Sequence, residues 1–284
     1  MGKIVVLFNS KSGNGRGMAN AQKVKEFYPD DELEFIDVVR DGVTNQGIVD
    51  SVNGAPIVLC GGDGTLNHFI NEVDTDSIKS DVYFFATGTG NDFLNDLGRK
   101  PADGPVKINE YIINLPVCTV KGKTYKFING IGYGIDGYCC EVGDKLRKTT
   151  TKPINYAGIA IKGLLFHYKP TNATITVDGK SETLKKVWLC PIMFGRYYGG
   201  GMIATPNQDR KNPEHTLSSM AFVGSGRLST LIAFPSIFKG EHINKKMVKS
   251  FSGYEIKVAF DRPVAAQVDG ETILDVSEIS ARFR

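Results

Sequence analysis

A chain of 284 residues, 41% hydrophobic and 23% charged, is long enough to bury two cores and has the composition of an ordinary globular protein. Its net charge of +3 is too small to argue for nucleic acid, and no apolar run approaches the length of a membrane span. Five cysteines, Cys60, Cys118, Cys139, Cys140 and Cys190, are odd in number and lack zinc or CxxC spacing, which argues for reduced thiols and a cytoplasmic location. The start, Met1–Phe8, is a short strand-like run without a basic leader, so no signal peptide is read.

The first hundred residues alternate between strand and helix periods. Lys3–Phe8 is a continuous apolar run, as in a buried parallel strand. Gly17–Phe27 is helix-compatible, Glu34–Val39 a second strand, Thr44–Asn53 a second helix and Pro56–Leu59 a third strand. From Thr65, the residues Leu66, Phe69, Ile70 and Val73 recur at i, i+3, i+4 and i+7, an amphipathic helix. Val82–Ala86 is a fourth strand, followed by a short helix over about 91–97. This alternation predicts a parallel sheet covered on both faces, a three-layer α/β domain over residues 1–105. Ligands of such sheets bind beyond the carboxyl ends of the strands. Three glycine-bearing turns fall at such ends: Asn9–Gly17, Gly61–Thr65 and Gly88–Asp92.

After Pro101 the texture turns to β. Strands are predicted at Tyr111–Val120, Lys126–Ile131, Ala173–Val177, Val187–Phe194, Tyr254–Phe260 and Ala265–Val268. Cys139–Tyr168 reads as helical, and Leu228–Phe238 as partly helical, broken by Pro235. Residues 106–284 are therefore expected to form a mainly β domain, a sandwich.

The segment Gly61-Gly-Asp-Gly-Thr65 lies where a strand turns into a helix. Free N–H groups at a helix start attract anions, and glycines let backbone approach phosphate oxygens. An aspartate there suits a divalent cation or a hydroxyl lying between it and phosphate; the plainer reading is a tight turn whose Asp caps a helix. No G-x-x-x-x-G-K-[ST] occurs, both G-x-G runs fail the dinucleotide fingerprint, and no protein-kinase motif set is present.

Five segments occur in order: Asn9-Ser-Lys-Ser-Gly13, Gly61-Gly-Asp-Gly-Thr-Leu-Asn67, Gly88-Thr-Gly-Asn-Asp-Phe-Leu94, Asn129-Gly-Ile-Gly-Tyr-Gly-Ile-Asp136 and Val268-Asp-Gly-Glu271. Together they resemble the diacylglycerol kinase catalytic-domain family, in its bacterial soluble lipid kinases, over nearly the whole chain. The resemblance implies a nucleotide-binding α/β domain and a β-sandwich for the lipid substrate, a fold of the NAD-kinase and diacylglycerol-kinase kind with its active site in the cleft between them. It also implies ATP and magnesium, and a lipid hydroxyl as acceptor. Phosphoryl transfer to an alcohol is mainly positioning and charge neutralisation. Gly61, Gly62 and Gly64 would present N–H groups to the phosphates. Asp63 would lie near magnesium or orient the transferring end, and Thr65, Leu66 and Asn67 belong to the first helical turn. Asn9, Ser10, Lys11, Ser12, Gly13, Thr89, Asn91 and Asp92 would meet other parts of the nucleotide, as would Arg40, where the family often has threonine. Asp92 and Asp136 are each open to a structural or a metal-water role. Glu271 is the expected proton acceptor, with Asp269 two residues away and facing the same cleft.

The family commonly holds a structural magnesium on an Asp-Asp-Gly segment. The corresponding stretch here is Pro206–Leu217, in which only Glu214 replaces the acidic ligand, with the Lys211 and Thr216 carbonyls beside it. Lys145, Arg147, Lys148 and Lys152 precede a moderately apolar segment, Ile154–Tyr168, which would suit an anionic bilayer surface. The partners expected are thus a lipid at a membrane surface and no nucleic acid, with peripheral rather than spanning attachment and a homodimer as the default oligomer. Two other readings are an NAD kinase, because GGDGT occurs there too, and a nucleotide- or lipid-binding regulator that has lost catalysis.

Overall fold

Strand β1 (Lys3–Phe8) carries its apolar residues on both faces, and all but Lys3 are buried. In this computed structural model, which describes residues 2–150 and 154–283, the chain divides into two units, Met1–Leu115 and Pro116–Arg284. In the first unit β1 is central. It pairs in parallel with β2 (Glu32–Asp37) and β3 (Ile57–Gly61), and β3 with β4 (Val82–Ala86). The sheet order is β2-β1-β3-β4-β5, with β5 (Val106–Lys107) antiparallel at the edge. Alternation along β1 sends Ile4, Val6 and Phe8 to one face, where they meet Ala21, Val24, Val58, Cys60 and Phe85. Beneath them the helical turn α1 (Ser12–Gly15) leads into α2 (Gly17–Ala21) and a 3₁₀ segment, Gln22–Glu26. Helix α3 (Asn45–Ser51) is capped by the Thr44 hydroxyl, which accepts from Gly47 N–H at 3.1 Å. Helix α4 (Asp63–Glu72) buries Leu66, Phe69 and Ile70, the apolar stripe read from the sequence. Helix α5 (Asp92–Asp96) follows β4.

The first unit extends past residue 105 because β5 joins its sheet and α6 (Asn109–Ile112) buries Ile112. The predicted strand over 111–120 is therefore split. Asn109 draws its segment onto the sheet: its Oδ1 accepts from Val82 N–H at 2.8 Å and its Nδ2 donates to the Ser80 carbonyl at 2.9 Å. Only β6 (Val117–Val120) is extended, and it belongs to the second unit.

The second unit is an antiparallel β-sandwich. After β6 come β7 (Lys123–Lys126), β8 (Gly130–Tyr133), β9 (Thr171–Val177), β10 (Lys180–Val187), β11 (Ile192–Met193), the small hairpin β12 (Tyr197–Tyr198) and β13 (Met202–Ile203), β14 (Leu217–Phe222), β15 (Val248–Gly253), β16 (Glu255–Val268) and β17 (Glu271–Arg282). Strand β16 holds the two halves together. Its register shifts between Ala259 and Ala266, a bulge that bends it. The first part, Ile256–Phe260, pairs with β9, and the last, Ala266–Val268, pairs with β8. The helical stretch predicted over 139–168 is α7 (Ile135–Arg147), α8 (Tyr156–Lys162) and a π-helical turn, Gly163–His167. Helix α9 (Arg227–Ala233) passes into a 3₁₀ segment, Phe234–Lys239, with Pro235 in its first turn. Ile135, Leu164, Trp188, Met220, Phe222 and Ile237 lie in the core beneath these helices. No helix of the described residues is long and apolar enough to cross a membrane.

All five cysteines are free. Burial pushes the thiols of Cys60, Cys118 and Cys190 up to about 12, so they behave as small apolar side chains rather than nucleophiles.

Candidate functional site

In the first unit the parallel register sets the site. Phe8 lies beside Asp37 on β2 and Cys60 on β3, and Gly61 beside Ala86 on β4. The loops that follow β1, β2, β3 and β4 therefore leave one edge of the sheet together. These are the loops that carry Asn9–Gly13, Arg40, Gly61–Asn67 and Thr89–Asp92, so the predicted nucleotide residues of this unit share one edge.

Each loop is fixed by its own polar groups. Asn9 Oδ1 accepts from Lys11 N–H at 2.8 Å, and the Asn9 carbonyl accepts from the Ser12 hydroxyl at 2.7 Å. Asp37, which the motif reading missed, ties two loops: its Oδ1 accepts from Ser10 N–H at 3.0 Å and Val39 N–H at 3.3 Å. Burial pushes this carboxyl up, but the Ser10 and Val39 donors and Lys11 outweigh it and hold it below the usual carboxylate range. The only sequence trace of this role is an acidic residue ending a strand. Arg40 is exposed in the turn after β2, its N–H donating to the Asp37 carbonyl at 3.3 Å. Thr89 is also exposed.

Gly62 and Gly88 bring the loops after β3 and β4 into backbone contact. A Cβ built on Gly88 would stand 2.7 Å from Gly62 Cα, so a side chain at Gly88 would push the two loops apart. Gly62 is the N-cap of α4, and helical bonding begins where Thr65 and Leu66 N–H donate to the Gly62 carbonyl at 3.0 and 3.2 Å. The start of this ten-residue helix faces the loop edge.

The aspartate of GGDG has a defined task. Asp63 Oδ2 accepts from Asp92 N–H and Oδ1 from Phe93 N–H, both at 3.0 Å. It caps α5, the helix after the neighbouring loop, rather than its own. Asn91, at φ 51°, enters this turn in the left-handed region, and its Nδ2 donates to the Gly88 carbonyl at 3.0 Å. Replacing Asp63 with Ala should cost about 1–3 kcal/mol, because two first-turn N–H groups lose an ionised acceptor. A lower urea midpoint would register the loss, and an unchanged midpoint would show that the cap contributes nothing.

In the second unit, Asp269 and Glu271 do not share a face. Asp269 and Gly270 form a two-residue hairpin turn with φ 45° and 96°, and Val268 pairs directly with Glu271. The alternation that would align residues two apart stops at such a turn. Asp269 is buried: its Oδ2 accepts from Ile128 N–H at 2.6 Å, and its Oδ1 from Asn129 and Gly130 N–H, each at 2.9 Å. Glu271 is exposed at the start of β17. Asp269 therefore holds the turn that presents Glu271. Arg210, another residue the motifs did not signal, donates from Nη1 to the Ile128 carbonyl at 3.0 Å and stacks over Phe194. Neighbouring Thr272 donates to Asp144 of α7 at 2.6 Å. Burial first, then the carboxylates of Asp136, Asp144 and Glu271, push the Cys140 thiol on α7 up to about 12.

Asp136, in the first turn of α7, is buried with no hydrogen bond of normal geometry to either carboxylate oxygen. Gly132 makes room for it, since a Cβ there would lie 1.9 Å from Asp136 Oδ2. Burial pushes its carboxyl up to about 7 against the opposing pull of the Gly137 and Asp136 N–H groups and the Tyr198 hydroxyl. Tyr198 is itself buried and held well above 10, by burial and then by Asp136.

Of the predicted structural-magnesium oxygens, one is already engaged within the protein. The Thr216 carbonyl already accepts from the amides of Gln208 at 3.0 Å and Asn212 at 3.3 Å. Lys211 and Glu214 are exposed, and the described residues contain no group of three His, Cys, Asp or Glu side chains placed to hold an ion. Side-chain amides close this loop around the oxygen that a cation would have taken.

Comparison with known proteins agrees with this division. Residues 3–116 match the family model described as the diacylglycerol kinase catalytic domain, and residues 129–281 match the YegS C-terminal NAD kinase beta sandwich-like domain. A diacylglycerol kinase of Mycobacterium tuberculosis is 22% identical over 255 residues, covering 86% of this chain and 80% of its own length. Among solved structures, one from Bacillus anthracis covers 100% of this chain and 94% of its own at a TM-score of 0.67 and 19% identity. Another, of a diacylglycerol kinase from the same organism, covers 99% and 94% at a TM-score of 0.60 and 19% identity.

Proposed function

The chain belongs to the diacylglycerol kinase catalytic-domain family, with a YegS-type second half, and from that premise we propose that it transfers the γ-phosphoryl group of ATP to the hydroxyl of a diacylglycerol-like lipid. The observation that carries this reading is the loop edge of the first unit. There Gly62 and Gly88 bring two loops into contact where α4 begins, and the positive end of that helix is suited to a polyphosphate. Magnesium carried by the nucleotide would supply charge neutralisation at the phosphates. Asp63 and Asp269 are positioning residues: the first holds the α5 loop, the second the Glu271 turn. Glu271 takes the proton of the lipid hydroxyl as its oxygen attacks the γ-phosphorus and ADP leaves. The family, and not the site alone, argues for a lipid acceptor, and a lipid drawn from a bilayer makes the enzyme peripheral to membranes.

Labelled ATP with magnesium, offered with diacylglycerol in mixed micelles, a sphingoid base or NAD, separates the readings. Label is expected in phosphatidic acid. Label in NADP would make the chain an NAD kinase, and tight ATP binding without transfer would make it a regulator. Glu271→Gln should lower turnover about 10²–10⁴-fold with ATP affinity unchanged, the range for loss of a general base. Wild-type turnover in this variant would remove Glu271 from the reaction.

A further inference from the structure

We infer that Asp144 is a positioning residue for the transfer: through Thr272 it fixes the strand end that presents Glu271. That strand end is short. Between its turn and the next register shift the β16–β17 hairpin has three pairs, Val268–Glu271, Gln267–Thr272 and Ala266–Ile273. Asp275, at φ 54°, lies in the irregular part beyond them. Asp269 anchors this ribbon on one side of Glu271 through the N–H groups of Ile128, Asn129 and Gly130. Asp144 anchors it on the other side.

Helix α7 is held close enough to reach the hairpin. Gly137 lets it lie directly on β16, since a Cβ there would stand 1.9 Å from the Ala265 carbonyl oxygen. Asp136, Cys140 and Asp144 recur every four residues along α7 and share one of its faces. Asp144, two turns beyond Asp136, meets the start of β17: the Thr272 hydroxyl donates to Asp144 Oδ2 at 2.6 Å. Thr272 is the next residue after Glu271, so the bond holds the backbone from which the glutamate side chain springs. Behind the turn, Gln267 Oε1 accepts from Gly270 N–H at 2.5 Å.

Each oxygen of Asp144 has its own partner. Oδ1 accepts from Arg147 Nη1 at 3.2 Å, and Arg147 Nη2 donates to the Tyr156 hydroxyl of α8 at 2.9 Å. The carboxylate is thus oriented from one side and used on the other. Arg147 belongs to the basic run predicted to face a bilayer. Here it turns to Asp144, Lys145 pairs with Glu141 at 2.5 Å, and Lys152, the last predicted member, lies outside the described residues. Stability does not account for the arrangement. The Arg147 and Asp144 side chains are 61% and 43% exposed, and a pair so exposed contributes little to folding. A general base, by contrast, works only within hydrogen-bond reach of its proton, and a misplacement of about 1 Å costs about 10²-fold in rate.

The role rests on the reading of Glu271 as the base, and the experiment separates the two. Turnover on diacylglycerol in mixed micelles is measured for the full chain and its variants. Asp144→Ala and Thr272→Val should each lower kcat about 10–10²-fold, with the KM values for ATP and lipid unchanged and the melting temperature close to wild type. Thr272→Ser, which keeps the hydroxyl, should recover most of that loss. The double variant should be no slower than either single one, and Asp144→Ala added to Glu271→Gln should slow it no further. Amide hydrogen exchange over residues 270–273 reads the positioning without turnover, and it should be faster in Asp144→Ala and Thr272→Val. Full turnover or unchanged exchange in these two variants, beside a slow Glu271→Gln, would overturn the proposal and leave the base in place. So would losses that multiply in the double variant or persist in full on Glu271→Gln, which would give Asp144 a task apart from Glu271. Wild-type turnover in Glu271→Gln would remove the base and its positioning together. Transfer to no acceptor would do the same, and faster exchange in the variants would then mark a tie with a structural role alone.

Discussion

Asp136→Asn should make the protein more stable at pH 8 and remove much of the loss of stability that wild type suffers between pH 4 and 7. The carboxyl is buried, lacks a hydrogen bond of normal geometry and titrates near 7 instead of 3.8. Between those values the folded chain keeps a proton that the unfolded chain has released. Stability from this group is therefore complete below pH 3.8, falls as pH rises and levels off above 7. Across the window the loss is roughly 4 kcal/mol. The other titratable groups around it, Tyr198, Cys139, Cys140 and Cys190, stay neutral through this range because burial raises each of them. Asp37 and Asp261, held below their ordinary range, act in the opposite sense and at lower pH. The informative quantity is thus the difference in urea-unfolding free energy between variant and wild type at each pH. It should be small at pH 4 and largest at pH 8. A difference independent of pH would refute the account.

Asp269→Ala should cost about 5 kcal/mol and Asp269→Asn about 3. Three backbone N–H groups converge on this carboxylate, and removing an ionised acceptor from buried donors costs several kcal/mol. Asn keeps one acceptor oxygen and tolerates the left-handed backbone at φ 45°, whereas Ala pays for that conformation as well. Chemical denaturation measures both. Glu271→Gln is the companion: exposed at the strand start, it should change stability by less than about 0.5 kcal/mol. Equal losses at 269 and 271 would contradict the division between a residue that builds the turn and one that is presented by it.

The parallel half of the fold was legible because its signals are local. Continuous apolar runs gave β1 and β4 to the residue, and the stripe Leu66–Val73 gave α4. The strand predicted over 111–120 misled because Asn109 acts through partners nearly thirty residues away, which periodicity does not register. The GGDG aspartate was read as a capping residue or a phosphate-site residue. The structure adds that the capped helix is the one across the loop, a long-range choice invisible in spacing. Asp269 and Glu271 were placed on one face by a strand rule where a positive-φ Asp-Gly turn applies. Whether a carbonyl is free to bind an ion depends on which amides reach it, and Gln208 and Asn212 of the same loop reach that of Thr216. Asp37 gave no motif signal because it does its work through backbone groups, which every sequence has.

The bent strand β16 also bears on how the protein is made. It pairs Val268 with Ile131 of β8 and Val258 with Ile175 of β9, partners separated by long stretches of chain. Closing such distant pairs costs much chain entropy before contacts return it. During synthesis, the N–H groups of Ile128–Gly130 stay without their Asp269 acceptor until the ribosome has delivered the hairpin of β16 and β17. The first unit needs no residue beyond Leu115 for its sheet and can close while the rest is still being translated.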